Sequence, residues 1–217
     1  MANKKTIAVT QQEYELLIRT ILEGFDVKSK GKDGDDQKRE SIKDNRLRYR
    51  PNPRLAAILI LEANLGLRIG DILNLHLKDI IKDGARYRLD IREQKTGKVR
   101  TFTVPDEIYA YIHRYAEENH IDAGEKLFPI TVRAVQKQLK LAADYLGLTG
   151  ISTHSFRKYF ATSIYLDNGY NIELVRTLLQ HSSSAITQKY IGIQQKDVEL
   201  ALQKHVKLPG RENIAAP

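Results

Sequence analysis

Apolar positions along this chain recur mostly every three or four residues, the period of helices that bury one face. Thr10 followed by Glu13 has capping-box spacing, and Tyr14, Leu17, Ile18 and Ile21 then repeat until Gly24, which predicts a first helix over Gln11–Glu23. Pro53 can open the next helix at its first turn, Leu55–Leu65 is apolar almost all round, and Gly66 ends the run, as expected of a helix at the centre of a domain. Helical spacing returns over Asp106–Glu118, Val132–Tyr145, His154–Leu166, Ile172–Leu179 and Gln194–His205. Strand-like alternation is strong only in Tyr87–Val104, where two runs rich in β-branched residues flank Lys95-Thr96-Gly97-Lys98, the pattern of a hairpin. Leu127–Ile130 is a further short candidate strand. The expected fold is mainly α with a small antiparallel β-sheet, an α+β arrangement.

One stretch departs from this patterning. From Asp26 to Arg50 charges of both signs mix with Gly31 and Gly34 and almost nothing apolar, which reads as a flexible charged insertion within one domain spanning residues 10–205, with loose tails at 1–9 and 206–217. The 217 residues suffice for one sizeable core. Lys plus Arg outnumber Asp plus Glu by 35 to 27, a formal charge of +8, which favours a polyanionic partner, nucleic acid first. No apolar run reaches the roughly 18 residues of a spanning helix, and the N-terminus lacks a signal peptide's apolar core, so a cytoplasmic protein is expected. Without any cysteine the chain has no disulfide, no thiolate zinc site and no cysteine nucleophile.

Several polar residues interrupt the apolar pattern. Arg68 stands between two glycines in Leu65-Gly66-Leu67-Arg68-Ile69-Gly70-Asp71, where an unpaired guanidinium would be costly; Asp71, three residues on, is the obvious salt-bridge partner, and a phosphate is the functional alternative. Lys95 sits at the hairpin turn, where a lysine is usually just solvated but can also reach a phosphate. His154 and Arg157, at i and i+3, share a face at the N-terminal end of a predicted helix, the end that favours anions. Asn171 can cap the helix that ends before His181, and three serines then open a short helix that could return Tyr190 towards that imidazole. Tyr190 is one of 11 tyrosines, for which packing is the commonest role. Arg46, Arg48, Arg50, Lys98 and Lys158 are further candidates for DNA phosphates, or simply solvated charges.

Taken in order, Arg68, Lys95, His154-x-x-Arg157, His181 and Tyr190 resemble the complete active-site set of the tyrosine recombinase, or phage integrase, family. The resemblance covers roughly Thr10 to His205, and the Leu-Gly-Leu-Arg, Lys-Thr-Gly-Lys, His-Ser-Phe-Arg and Leu-Leu-Gln-His blocks each match one of the family's boxes. It implies the catalytic-domain fold of that family and a site-specific recombinase, an integrase or excisionase-assisted enzyme of a mobile element. Tyr190 would attack a DNA phosphodiester to give a 3′-phosphotyrosyl bond and a free 5′-hydroxyl. Arg68 and Arg157 would clamp the phosphate, Lys95 would protonate the leaving oxygen, His154 would assist proton transfer, His181 would hydrogen-bond the phosphate, and Asp71 would position the arginines. The bond energy is kept in the phosphotyrosine, so neither ATP nor another cofactor is implied. No metal is needed, since fixed cations can offset the phosphate charge. The implied partner is double-stranded DNA, bound by a homotetramer on paired sites, with the 194–205 helix as a candidate protomer contact.

Three departures from the family pattern stand out. Gln180 replaces the glycine usual before the second histidine, the 26–50 insertion is long, and the helical core-binding domain that usually precedes the catalytic domain is not recognisable. Two other readings compete: a type IB topoisomerase, which uses a similar tyrosine and cation set, and a non-catalytic DNA-binding regulator on the same fold.

Overall fold

The computed structural model describes residues 6–28, 46–95, 97, 99–191, 199, 202, 203 and 205. Helix α1 (Gln11–Glu23) has the expected capping box between Thr10 and Glu13 and stops at Gly24. Helix α2 (Pro53–Leu65) is capped by Asn52, which accepts the Leu55 N–H. It buries nearly all its faces against neighbours, so its apolar sequence belongs to the centre of the core. Around it lie the short α3 (Ile69–Ile72), α4 (Asp106–Glu118), α5 (Val132–Tyr145) and α6 (Thr153–Asp167), and the chain continues through α7 (Ile172–Leu179) and α8 (Ser184–Gln188). Asn171 caps α7 through the Leu174 N–H, and Ser183 caps α8 through the Ile186 N–H.

The hairpin also forms. Its strands β4 (Arg86–Arg92) and β5 (Val99–Val104) pair antiparallel with Arg92 opposite Val99, and β3 (Ile80–Asp83) adds a third strand on the far side of β4. Leu89 and Val104 turn into the core, while most other positions on the sheet remain accessible. The strand β3 was not anticipated, being four residues long with two lysine or aspartate positions in it.

The charged insertion needs a correction at both ends. Residues Phe25–Lys28 (β1) and Arg46–Tyr49 (β2) pair antiparallel, and Phe25 stacks on Tyr49 at 4.8 Å and on Tyr145 of α5 at 4.6 Å between ring centroids. Residues 29–45 lie outside the described residues. Leu127–Ile130 forms no strand; a single bridge joins His76 to the neighbouring Lys126, and Leu127 and Phe128 are buried as core side chains. The N-terminal tail is shorter than expected. Val9 is buried, the Ile7 N–H donates to Gly150 O, and Thr6 O accepts from Lys158. Of the predicted helix 194–205, residues 199, 202, 203 and 205 are helical and the others lie outside the described residues. Among the described residues no helix is long and apolar enough to cross a membrane.

Two apolar clusters result. The main one gathers α1, α2, α4, α5 and the sheet, and includes Phe156 of α6. A small second one comprises Phe160, Ala161, Val175 and Leu179, with Tyr190 packed against it. One face of α6 thus anchors the main core while the next turn supports the segment that ends in Tyr190.

Candidate active site

Arg157 is the largest fully buried side chain among the described residues. A guanidinium retains its charge in any protein setting, so it needs acceptors. Two come from backbone: Gly66 O accepts from Nη1, and Leu179 O accepts from Nη2 at 3.1 Å. Gly66 ends α2 in the left-handed conformation (φ 58°), and a Cβ there would collide with the Phe160 ring, so glycine both turns the chain and lets α6 approach. This is a physical reason for the Leu-Gly-Leu-Arg block.

Arg68 occupies the N-cap position of α3 and pairs with Glu93, not with Asp71 as its spacing suggested. Glu93 is buried at the end of β4, where the hairpin turn begins. Asp71 is also buried but uses Oδ1 to accept the Gln94 N–H at 2.9 Å, tying α3 to that turn. Two acids therefore fix the base of the hairpin loop: Glu93 through the arginine and Asp71 through the backbone. The loop closes with the Gly97 N–H donating to Glu93 O at 2.8 Å, and it presents an exposed Lys95. Glu93 was missed in the sequence because its partner is remote along the chain and the hairpin pattern explained its position without one.

His154 and Arg157 emerge from the first turn of α6, as their spacing predicted. The ring of His154 lies 6.3 Å from that of Tyr190, and the ring of His181 lies 4.6 Å from it. The guanidinium carbon of Arg157 stands 5.8 Å from the Tyr190 ring centroid. Partial burial, and then the charges of Arg157, Lys95, Arg68 and Lys158, lower the pKa of His154 and keep its imidazole neutral and able to accept a proton. Arg157 in turn feels Arg68, Tyr190, Glu93 and Glu62, with burial the leading influence and a net lowering of its pKa. Residues scattered along the chain thus share one electrostatic neighbourhood.

His181 is buried just past α7, where its N–H donates to Arg176 O and its Nδ1 lies 3.1 Å from the Thr187 hydroxyl. Thr187, itself fully buried, orients the ring from α8, and the Tyr190 N–H donates back to Thr187 O at 2.8 Å. A threonine in a serine-rich stretch gave no sequence signal for this role. Gln180, at the glycine position of the Leu-Leu-Gln-His box, adopts φ 51° and ψ 39°. The glycine-like backbone is kept and a side chain bears its cost.

Residues 43–197 match the family described as Phage integrase family. The chain belongs to that family. It is 33% identical over 157 residues to a probable integrase/recombinase YoeC of Bacillus subtilis, covering 69% of this chain and 83% of that protein. It is 32% identical over 149 residues to the tyrosine recombinase XerC of Nitrobacter winogradskyi, covering 64% of this chain and 46% of that protein. The chain therefore spans most of the first of these relatives and about half of the second. Among solved structures it resembles XerH site-specific recombinase bound to palindromic difH substrate in a post-cleavage complex, at TM-score 0.66 and 20% identity over 94% of this chain and 54% of that one. It also resembles the catalytic domain of bacteriophage HP1 integrase, at TM-score 0.59 and 17% identity over 98% of this chain and 100% of that one. These likenesses establish the integrase catalytic fold.

The DNA-binding candidates of this chain are less uniform than its six central residues. Arg48 and Arg50 are exposed, Arg48 standing opposite Asp26 in the β1–β2 pair. Lys158 donates to Thr6 O at 2.6 Å, which turns its ammonium towards the N-terminal segment. The Arg46 side chain and Lys98 lie outside the described residues. Among the described residues, no cluster of three or more His, Asp or Glu side chains could hold a metal ion.

Proposed function

We propose that this chain is the catalytic domain of a site-specific DNA recombinase that cuts and rejoins strands through a tyrosyl intermediate. The observation that carries the reading is the grouping of His154, His181 and Arg157 around the Tyr190 ring, with Arg68 and Lys95 close enough to act on His154. Tyr190 forms a bond from its phenolic oxygen to the scissile phosphorus while the bond from phosphorus to the 5′ oxygen breaks. The neutral His154 accepts the phenolic proton, and Lys95 gives one to the departing 5′ oxygen. Arg68 and Arg157 hold the non-bridging oxygens, where charge grows in the transition state. His181, its ring held by the Thr187 hydroxyl 3.1 Å from Nδ1, hydrogen-bonds the phosphate. Attack of a 5′-hydroxyl on the phosphotyrosine reverses every step and joins a new strand, with Asp71 keeping the loop that carries Lys95 in place.

Double-stranded DNA is the partner this reading requires, in a tetramer on paired sites, and the net charge of +8 favours such a polyanion. A nicked suicide duplex, from which the 5′-hydroxyl fragment diffuses away, tests it. Wild-type protein should shift to a covalent adduct on a denaturing gel, and Tyr190→Phe should not, with DNA binding by both verified in the same tubes. Equal signals from the two proteins would overturn the covalent mechanism. Relaxation of supercoiled plasmid without recombinant joints between paired attachment sites would favour the topoisomerase reading instead.

A further inference from the structure

Beyond the last β4–β5 pair, Arg92 opposite Val99, the chain leaves the ladder to form the turn that carries Lys95, and a glutamate at the start of such a turn ordinarily faces water. Glu93 is instead 1% exposed, and its Oε2 accepts from Nη1 of Arg68. This bond is one side of a closed ring. Arg68 O accepts the Asp71 N–H at 2.9 Å, and Asp71 Oδ1 accepts the N–H of Gln94, the residue after Glu93, at 2.9 Å. Across the turn, the Gly97 N–H donates to Glu93 O at 2.8 Å and Arg92 Nη1 donates to Gly97 O at 2.9 Å, with Gly97 in the left-handed region at φ 67°. Lys95, between these anchors, is exposed.

We infer that Glu93 is a positioning residue for Lys95: by joining the turn to the guanidinium of Arg68, it sets the ammonium where it can protonate the departing 5′ oxygen. The inference rests on the tyrosyl mechanism proposed above. In that step an Nζ–H bond of Lys95 breaks and an O–H bond forms on the 5′ oxygen, which leaves with the electron pair of its bond to phosphorus. A guanidinium has five N–H donors, so Arg68 can serve the carboxylate on one edge and a phosphate on another. The phosphate and the turn are then placed against the same group. Asp71 holds the turn by its backbone, whereas Glu93 ties it to the side chain that meets the phosphate. A lysine stem is long and flexible, so the backbone beneath it must be well placed for proton transfer, which needs hydrogen-bond reach; about 1 Å of misplacement can cost about 10²-fold in rate. Lys95 and Arg68 both act on the charge of His154, as two groups around one space do.

The test compares two suicide duplexes, one with the natural 5′ oxygen at the scissile phosphate and one with sulfur in its place. Sulfur departs as a thiolate and needs no proton donor, since thiols ionise at about pH 8.5. The readout is the rate of adduct formation on sulfur divided by the rate on oxygen. Lys95→Ala should raise this ratio about 10²-fold over wild type and Glu93→Gln about tenfold or more, whereas a residue needed only for the fold or for gripping the phosphate slows both duplexes alike. A ratio raised in Lys95→Ala but unchanged in Glu93→Gln would overturn the inference and leave the mechanism standing. A ratio unchanged in both would remove the proton-donor role from Lys95 and the inference with it. Glu93→Asp keeps a carboxylate for Arg68 but draws the turn in by one methylene; it should raise the ratio as well, and an unchanged ratio there would overturn the inference even if Glu93→Gln did not fold. If wild-type protein formed no adduct, the tyrosyl reading would fall and amide exchange would decide the role of Glu93. Gln94 and Gly97 should exchange about tenfold faster in Glu93→Gln than in wild type, with α2 unchanged, and equal rates would overturn the placement of the turn by Glu93.

Discussion

The candidate cations and Tyr190 are supported by different parts of the molecule. Arg68 and Arg157 are fixed where α2, α3, α6 and the sheet meet, against a core that runs through α1, α2, α4 and α5. Tyr190 follows a helix of five residues and packs on a cluster of four buried side chains. The first region has a rigid, deeply buried electrostatic frame. The second is held by few apolar neighbours and by surface bonds such as Arg176 Nε to Glu173 at 2.6 Å, and regions of that kind open at lower free-energy cost than a core. On the proposed mechanism, a preset charge site would face a more easily displaced Tyr190. Arg157 spans the divide, since its Leu179 contact reaches α7.

Breaking the frame should have the largest effect. Arg157→Ala removes a phosphate donor of the proposed mechanism and leaves Gly66 O and Leu179 O without their donor, so adduct formation should fall by about 10²-fold or more, and stability by about 1–3 kcal/mol for each carbonyl left unpaired. Rapid-quench gels and denaturant melts read the two separately. Phe160→Ala should break the other side of the comparison. Its ring packs in the small cluster, and truncation should cost about 3 kcal/mol. Hydrogen exchange should speed up in α7 and α8 much more than in α2, where equal acceleration would show that the two regions unfold together.

Smaller effects sharpen the contrast. Gln180→Gly relieves a left-handed backbone at the end of α7 and should stabilise the protein by about 1 kcal/mol, measured by urea melts. The next test concerns charge alone. His154 is held below its ordinary pKa of about 6.5 by burial and by Arg157, Lys95, Arg68 and Lys158. As pH falls through that value the unfolded chain takes up the proton first, so this residue makes folding less favourable on acidification. Lys95→Ala should raise the His154 pKa by a fraction of a unit in a proton NMR titration, with no change in melting temperature. An unchanged His154 pKa would place Lys95 away from the site.

The division also explains what could be read from the residues in order. Helices such as α1 and α7 carry their own caps and periodicity, so local chemistry specifies them. The six candidate site residues could be picked out in order because each lies in a short block with its own spacing. Strands β1 and β2 were not, because Phe25, Tyr49 and Tyr145 stack only after a charged segment has been brought round. Glu93 was hidden for the same reason: it looked like part of a hairpin, and only its tertiary pairing with Arg68 gives it a role. Thr187 gained its role from the fold that sets its hydroxyl against His181.

The central claim is that Tyr190 itself becomes bonded to DNA. Protease digestion of the trapped complex followed by mass spectrometry of the nucleotide-bearing peptide tests it most directly. The account predicts the peptide containing Tyr190, with the nucleotide attached through its 3′ phosphate. Attachment to another residue, or through a 5′ phosphate, would contradict it.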